Sequence, residues 1–365
     1  MYIYQYKQWP NFTWDNVALQ SLLTKASFLR GSLFGRMSTI GFKLQNEATL
    51  NSLSQEIIKS SEIEGEILNQ EQVRSSIARR LNIELKTNVA ESHYIDGVVD
   101  MMFDATQNYK TPLTKKRLFA WHASLFPTGF SGMYKIDVGK FRSDKDGRMQ
   151  VVSSKYNRDV VHFEAPEAKD INKHITEFLK WFNSASADII SVAIAHLCFV
   201  TIHPFDDGNG RITRAITEMM LAKVDDSKYR FYSMSAQVLK HRKEYYDILE
   251  KTQRRDMNIT EWLEWFITML INSINDSLEQ TESIFKKAKF WQENENIAFS
   301  SDQQKIINKL FDGFEGNLTS SKWAEICKCS QDTANRAIAD LIEKGIFVKI
   351  GSGRSTHYKL NVENQ

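Results

Sequence analysis

The chain has 365 residues, of which 42% are hydrophobic and 25% are charged, as is usual for a soluble protein. Its formal net charge is only +2, so the overall charge does not indicate a nucleic-acid scaffold or a membrane-surface binder. The three cysteines form no disulfide framework by number or spacing, which favours a reducing, cytoplasmic location. A zinc site at Cys327 and Cys329 would need further ligands close by, so it is disfavoured.

Two stretches are candidates for export or membrane insertion, and neither has the required pattern. The first residues, MYIYQYKQWPNFTWDN, lack the basic and then apolar order of a secretory signal. The apolar stretch WLEWFITMLINSI at 262–274 is shorter than the roughly 18 to 20 residues of a spanning helix. We therefore expect this stretch to form a buried helix, and we expect no membrane partner.

Apolar residues recur at spacings of three and four through most of the chain, as in LNSLSQEIIKSSEIEGEIL at 50–68, and only five prolines interrupt it. This pattern predicts a mainly α-helical protein. Paired valines within 148–162 replace the helical spacing and predict one small β-hairpin. The boundaries we expect are an N-terminal helical region at 1–87, a core domain at 88–285, a linker at 286–300 and a C-terminal domain at 301–365.

The C-terminal domain reads as helices followed by two short strands, which resembles a winged helix-turn-helix. Its last helix, beginning after Ser330 and ending before Gly345, is the expected recognition helix. The helix carries more acidic than basic residues, whereas the following wing is basic. Two functions of this domain stay open. It could bind DNA through 301–361, or it could be a protein-interaction or dimerisation module of the same shape, as in a homodimer.

The segment TIHPFDDGNGRITR at 201–214 joins two predicted helices. The apolar helix 188–202 delivers His203 to a loop that Pro204 and the glycines break, and a new helix follows. Because the loop lies at a helix N-terminus, its backbone N–H groups form an anion site. Arg211 and Arg214 lie three positions apart and add two phosphate donors, so the expected ligand is a di- or triphosphate.

Asp207 and His203 complete this constellation. A carboxylate beside phosphates predicts Mg²⁺ between them. A histidine whose pKa is ordinarily about 6.5 can be neutral at pH 7 and accept a proton from an attacking hydroxyl. The loop follows a helix and lacks the lysine of a P-loop, so neither a Walker A nor a Rossmann site is indicated.

The segment resembles the signature of the Fic family, H-x-F-x-[DE]-G-N-G-R-x-x-R, at every specified position from His203 to Arg214. The resemblance extends over roughly 90–280 and includes GKFR at 139–142 and HRKEYYDIL at 241–249. It implies a Fic-type helical core with a hairpin flap, and transfer of AMP from ATP to a Ser, Thr or Tyr hydroxyl of a target protein or of the chain itself. Because the Gly-Asn-Gly-Arg pattern is kept, adenylylation is favoured over the phosphorylation of the Doc branch.

The same resemblance assigns roles to residues. His203 is the expected general base, Asp207 the Mg²⁺ ligand, Phe205 an anchor of the loop, and the hairpin 148–162 a strand that holds the target. The residues expected around the nucleotide, with the tyrosines on its adenine side, are Gly208, Asn209, Gly210, Arg211, Ile212, Thr213, Arg214, Tyr245 and Tyr246.

SSEIEGE at 60–66 resembles the inhibitory motif of this family, [ST]-x-x-x-E-[GN], through Ser60, Glu64 and Gly65. The implied inhibitory helix, 47–64, brings Glu64 to Arg214 and displaces the γ-phosphate, which predicts weak basal transfer and leaves removal of AMP open. A surface helix ended by a glycine is the plain alternative. A second hypothesis for the whole chain is a DNA-binding regulator whose Fic core senses nucleotide.

Overall fold

The computed structural model describes residues 1–85, 89–145, 147–155, 158–311, 314 and 316–361. These residues divide into two compact units, 1–277 and 278–365, each with its own packing. The finer boundaries expected at residues 87 and 285 stay a prediction. None of the helices in the described ranges combines the length and apolarity that crossing a membrane requires.

The first unit begins with helices that precede the expected active-site segment. They are α1 (Asn16–Ser38), α2 (Phe42–Ile63), α3 (Gln70–Arg80), α4 (His93–Gln107) and α5 (Lys115–Leu125). The α2 helix, which contains the expected inhibitory helix, begins earlier than the predicted residue 47. Several helices begin at polar N-caps, such as Asp15, whose carboxylate accepts from the Val17 amide.

Two antiparallel hairpins follow α5. The first pairs β1 (Phe130–Ser131) with β2 (Tyr134–Lys135), and the second pairs β3 (Gln150–Lys155) with β4 (Arg158–Glu164). The second is the hairpin predicted at 148–162, and its tip at 156–157 lies outside the described residues. Val151 pairs with Phe163 and Val152 with Val161, so His162 is an extra residue that forms a bulge in β4.

Six helices follow, and the last of them continues past residue 277 into the second unit. They are α6 (Ala168–Ser184), α7 (Ile189–Ile202), α8 (Asn209–Asp225), α9 (Met234–Lys240), α10 (Arg242–Gln253) and α11 (Thr260–Glu293). The linker expected at 286–300 therefore begins inside α11. Nearly every side chain of α7 is buried, and the Trp262 indole of α11 donates to the Ala193 carbonyl at 3.0 Å. As predicted, α7 is the central helix of this unit.

The second unit contains α12 (Ser301–Phe311), α13 (Ser320–Cys327), α14 (Gln331–Glu343), β5 (Phe347–Ile350) and β6 (His357–Leu360). The Ser330 hydroxyl caps α14, as predicted, by accepting from the Thr333 amide at 3.1 Å. Trp323, Ile338 and Phe347 are among the buried residues of its core. This order of helices and hairpin is that of a winged helix-turn-helix. The chain is therefore mainly α-helical with small antiparallel hairpins, as the sequence predicts.

Candidate active site

The segment between α7 and α8 reverses the chain through two left-handed residues. His203 ends α7 with φ 49° and ψ 60°, and its N–H still donates to the Phe199 carbonyl at 3.1 Å. Gly208 begins α8 with φ 79°, and a Cβ at this position would lie 2.9 Å from the Phe126 ring. Both the backbone angle and the ring therefore require glycine at residue 208.

Phe205 anchors the loop, as expected. Its ring is fully buried and stacks on the His122 imidazole with 4.3 Å between ring centroids. The Asn209 amide accepts from the Phe205 N–H at 2.9 Å and donates to the Phe205 carbonyl at 2.7 Å. The Asn209 side chain thus shapes the loop, and the nucleotide contact expected of this residue stays a prediction for its backbone.

His203 is in the form that a general base requires. Its Nδ1 lies 3.2 Å from the Val200 carbonyl, which can only accept, so Nδ1 carries the proton and Nε2 keeps its lone pair. Burial lowers the pKa of His203 to about 4, and the nearby Arg142 cation acts in the same direction. The ring is therefore neutral at pH 7.

Arg142, from the GKFR segment, fixes the position of His203. Its side chain is almost fully buried, and its guanidinium donates to the His203 carbonyl at 2.8 Å and to the Pro166 carbonyl at 2.6 Å. Its backbone N–H donates to the Pro204 carbonyl at 2.9 Å. One cation thus ties the loop to the start of α6.

Asp207 lies at the mouth of the loop with a half-exposed side chain. One carboxylate oxygen accepts from the Gly208 N–H at 2.5 Å, and the other accepts from the Ser131 hydroxyl of the β1–β2 hairpin. No cluster of three or more His, Cys, Asp or Glu side chains suited to a metal occurs in the described part of the chain. The half-exposed Asp207 carboxylate fits Mg²⁺, which commonly takes one or two protein carboxylates and completes its shell with phosphates and water.

His122 supports this loop from α5. Its Nδ1 accepts from the Gly139 N–H at 3.1 Å, so Nε2 carries the proton and donates to the Asp207 carbonyl at 3.2 Å. Burial lowers the pKa of His122 to about 4, which keeps it neutral. The sequence did not single out His122, because a lone histidine on a helix carries no distinguishing pattern.

The two arginines of α8 are buried, and each has an unused donor. Arg211 and Arg214 are 2% and 3% exposed, yet within the described part of the chain Nε of Arg211 and Nη1 of Arg214 have no hydrogen-bond partner. Buried guanidinium groups ordinarily satisfy every N–H. Both N–H groups lie on the first turns of α8, where the helix end already favours an anion.

Glu64 and Ser60 reach the site from the end of α2. The Arg214 guanidinium donates to the Glu64 carboxylate at 2.7 Å, to the Ser60 hydroxyl at 2.7 Å and to the Ser60 carbonyl at 2.8 Å. The Glu64 carboxyl carbon lies 2.8 Å from the position of a Cβ on Gly210. A protein carboxylate therefore lies on the helix end where a phosphate is expected.

The remaining predicted nucleotide contacts are distributed unequally. Ile212 and Thr213 have fully buried side chains, so the nucleotide contacts predicted for them are left to their backbone. The Tyr245 hydroxyl lies 2.9 Å from His196 Nε2 inside the core, whereas Tyr246 is partly exposed with the Arg242 guanidinium 5.2 Å from its ring centroid. Of the two tyrosines, Tyr246 has the more exposed side chain, and a contact of either with a nucleotide stays a prediction.

Three family models match parts of the chain. Residues 112–221 match the Fic/DOC family, residues 2–83 match a domain of unknown function (DUF4172), and residues 314–361 match the C-terminal domain of DIP2311-like transcriptional regulators. The Fic/DOC match includes α5, both hairpins, α7 and most of α8.

Two curated relatives are each named protein adenylyltransferase Fic. The protein from Aedes aegypti is 28% identical over 210 residues, which are 56% of this chain and 38% of that protein. The protein from Culex quinquefasciatus is 27% identical over 210 residues, which are 56% of this chain and 37% of that protein. The chain therefore spans less than two-fifths of the length of either relative.

One solved structure resembles the fold along almost its whole length. A Fic family protein from Desulfovibrio desulfuricans G20 superposes with a TM-score of 0.55 at 19% identity, covering 98% of this chain and 99% of that chain. At this level of identity the likeness shows the fold.

Proposed function

Because the chain contains a Fic/DOC-family domain, we propose that it is a protein adenylyltransferase that moves AMP from ATP to a hydroxyl of a target protein. The observation that carries the proposal is the pairing of a neutral His203 with two buried arginines that each keep an unused N–H on the α8 end. The names of the curated relatives support the same activity.

In this proposal His203 activates the attacking group. Nε2 of His203 takes the proton of a Ser, Thr or Tyr hydroxyl as its oxygen attacks the α-phosphorus of ATP. The bond from the α-phosphorus to the bridging oxygen then breaks, and pyrophosphate leaves. The target oxygen thereby becomes bonded to AMP, and the proton stays on His203 until solvent removes it.

The other residues position the phosphates and neutralise their charge. Asp207 would hold Mg²⁺, which when bound offsets the charge of the leaving pyrophosphate. The backbone at Gly208 to Gly210 faces the phosphates at the positive end of α8, and Arg211 and Arg214 supply N–H donors. Tyr246 lies on the expected adenine side.

The target is proposed to lie along the β3–β4 hairpin as an added strand. Val152 and Val160 on this hairpin are 49% and 43% exposed, which leaves apolar side chains available to a bound segment. Strand addition would hold the target backbone and leave its hydroxyl free to reach His203.

Glu64 is proposed to inhibit the reaction. Its carboxylate occupies Arg214 and the space beside Gly210, so it competes with a phosphate for the same donors. Weak transfer by the unmodified chain follows from this contact.

Transfer from labelled ATP tests these assignments. We expect Glu64→Gly to transfer label from the α position at least about tenfold faster than the unmodified chain, and the Glu64→Gly, His203→Ala double variant to transfer almost none. Transfer of label from the γ position alone would instead indicate a kinase. Equal rates for all three proteins would contradict both roles.

A second candidate function is DNA binding by the C-terminal unit, favoured by its match to a transcriptional regulator domain. Lys349 and Lys359 are exposed on the β5–β6 wing and are available to phosphates. In α14, however, the exposed Arg336 is paired with Asp332. Duplex binding that weakens with salt and is lost in Lys349→Glu, Lys359→Glu would support this function, and absent or salt-insensitive binding would contradict it.

A further inference from the structure

The α2 helix ends in a tight turn that carries two acidic side chains, Glu64 and Glu66. Gly65 between them has φ 85°, the left-handed conformation that favours glycine. The Gly65 N–H donates to the Glu62 carbonyl at 3.0 Å, and the Glu66 N–H donates to the Ser61 carbonyl at 3.0 Å. These two bonds form a complete Schellman motif, so the turn holds both carboxylates in a fixed relation.

Each carboxylate of this turn contacts a different arginine of α8. Glu64 accepts from Arg214 at 2.7 Å, and Glu66 accepts from Nη1 of Arg211 at 2.7 Å. The Arg211 and Glu66 positions are 145 residues apart in the chain. The turn therefore covers both of the cations expected to bind the outer phosphates.

Tyr94 of α4 strengthens the contact made by Glu66. Its hydroxyl donates to the same Glu66 oxygen and accepts from Nη1 of Arg211 at 2.9 Å. Desolvation raises the pKa of Tyr94, so the phenol keeps its proton and remains a donor. The Glu66 carboxylate, the Tyr94 hydroxyl and Nη1 of Arg211 are thus each hydrogen-bonded to the other two.

The contact with Glu66 changes the charge that Arg211 offers to a ligand. Arg211 is 2% exposed, and its Nη2 lies 3.8 Å from the Asp207 carboxylate, so two acids already face this cation. The Phe126 ring, 5.1 Å from the guanidinium carbon, and Tyr94 also hold Arg211 in place. Arg211 therefore keeps most of its supports when Glu66 is replaced by glutamine, while its charge becomes more available to an anion.

We propose that Glu66 is a second competing carboxylate of the nucleotide site, acting through Arg211 as Glu64 acts through Arg214, and that the 64–66 turn engages and releases both arginines together. This inference rests on the proposed function, because it assumes that the outer phosphates of ATP bind the two arginines. Glu64→Gly alone then gives only part of the available gain in triphosphate binding.

Equilibrium binding of Mg-ATP and of AMP to the full chain tests the inference without requiring transfer. Glu66→Gln keeps the size of the side chain and removes its charge, so we expect the Kd for Mg-ATP to fall at least about fivefold. AMP has no outer phosphates, so its Kd should change less than about twofold. Glu62→Gln is the matched control, because Glu62 lies on the same helix and pairs with Lys59 instead of an arginine of α8.

Gly65→Ala provides a second variant that keeps both acids. Among the described residues no atom beyond the chain neighbours lies within 4 Å of a Cβ at this position, so the positive φ is what opposes the alanine. We expect the strained turn to loosen both carboxylates and again tighten Mg-ATP binding selectively. Thermal unfolding of each variant checks that it is folded.

The outcomes separate this inference from the proposed function. If Glu64→Gly transfers AMP but Glu66→Gln and Gly65→Ala bind Mg-ATP no more tightly than the control, the inference is wrong and the function stands. Weaker binding by Glu66→Gln would also overturn it, since Glu66 would then support Arg211 for the ligand. If no variant binds Mg-ATP, the proposed function and the inference both fail.

Discussion

Asn209 and Phe205 form a closed pair in which one side-chain amide makes two hydrogen bonds to one residue's backbone, at 2.9 and 2.7 Å. Asn209 is 3% exposed, so water cannot replace either bond. The pair sets the shape of the loop between His203 and α8 before any ligand is present.

Asn209→Asp should destabilise the protein by about 1 to 3 kcal/mol, because the new oxygen replaces a donor and faces the Phe205 carbonyl. Urea unfolding measures this loss. Asn69→Asp is the control: Asn69 is an N-cap whose side-chain oxygen accepts from the Gln72 amide at 3.1 Å, and aspartate caps equally well. Equal stability of the two variants would show that the pair contributes little.

The effect of Gly210→Ala on the free energy of unfolding should change sign with the residue at position 64. With Glu64 present, the added Cβ would overlap a Glu64 carboxylate oxygen and lie 2.8 Å from the carboxyl carbon, so we expect a loss of about 1 to 3 kcal/mol. In Glu64→Gly the carboxylate is gone and the remaining close atom is the flexible end of Arg214, with Nη1 at 3.3 Å, so alanine in the helix should gain about 0.5 to 1 kcal/mol. A double-mutant cycle by urea unfolding measures the coupling.

Gly35→Ala in α1 is the control for that cycle, because no atom lies within 4 Å of a Cβ at Gly35. Its effect should be the same whether residue 64 is Glu or Gly. Additive effects of Gly210→Ala and Glu64→Gly would contradict the contact between residue 210 and the Glu64 carboxylate.

Arg142→Lys should lower the rate of transfer with little effect on ATP binding. Arg142 holds the His203 carbonyl and the Pro166 carbonyl, whereas none of its hydrogen bonds is to Arg211 or Arg214. Lysine keeps the charge but cannot form this fork, so His203 loses its fixed position. In the Glu64→Gly background we expect kcat to fall about tenfold or more, with Arg148→Lys at an exposed ion pair as control. A change in KM alone would contradict this role.

His196 should make the protein sensitive to mild acid. It is 2% exposed, and desolvation together with the Arg214 charge lowers its pKa to about 3. Below about pH 6.5 His196 is protonated in the unfolded chain, whereas in the folded protein it stays neutral down to about pH 3. The free energy of unfolding therefore falls as the pH is lowered from about 6.5 towards 3. The expected contribution of this one group is about 1.4 kcal/mol for each pH unit below 6.5.

The measurement is urea unfolding of the unmodified chain and of His196→Gln at about pH 7.5, 6 and 5. These values lie on both sides of the ordinary histidine pKa of about 6.5. His196→Gln should be less stable at the highest pH, because its contacts with Thr217 and Tyr245 change. Its stability should then fall less steeply with acid. Parallel pH profiles for the two proteins would contradict the assignment.

Much of the site follows from sequence patterns that act locally. The apolar run before His203 predicts a buried helix, and α7 ends at Ile202 as expected. Glycine at 208 marks the left-handed start of α8, and the arginines at 211 and 214 lie on its first turns. These features depend on neighbouring residues and backbone preferences, so they are readable from the chain itself.

Other contacts involve residues far apart in sequence, and their patterns were weaker. GKFR is part of the family resemblance, but the sequence does not show that Arg142 holds His203, since that role depends on the carbonyls that surround the buried cation. No sequence pattern indicates that Ser131 or Tyr94 contacts the site. Glu66 follows Glu64 by two positions, and that spacing around a glycine was the one available indication of its contact.

The sequence by itself determined the helix, loop and helix that carry His203, Asp207 and the two arginines, because periodicity, capping and glycine conformations are local. Its resemblance to a family suggested Glu64 as the partner of Arg214. Only the tertiary structure decided that the end of α2 covers both arginines, since packing brings together segments 145 and 150 residues apart. The same packing leaves on each arginine one N–H that has no partner among the described residues.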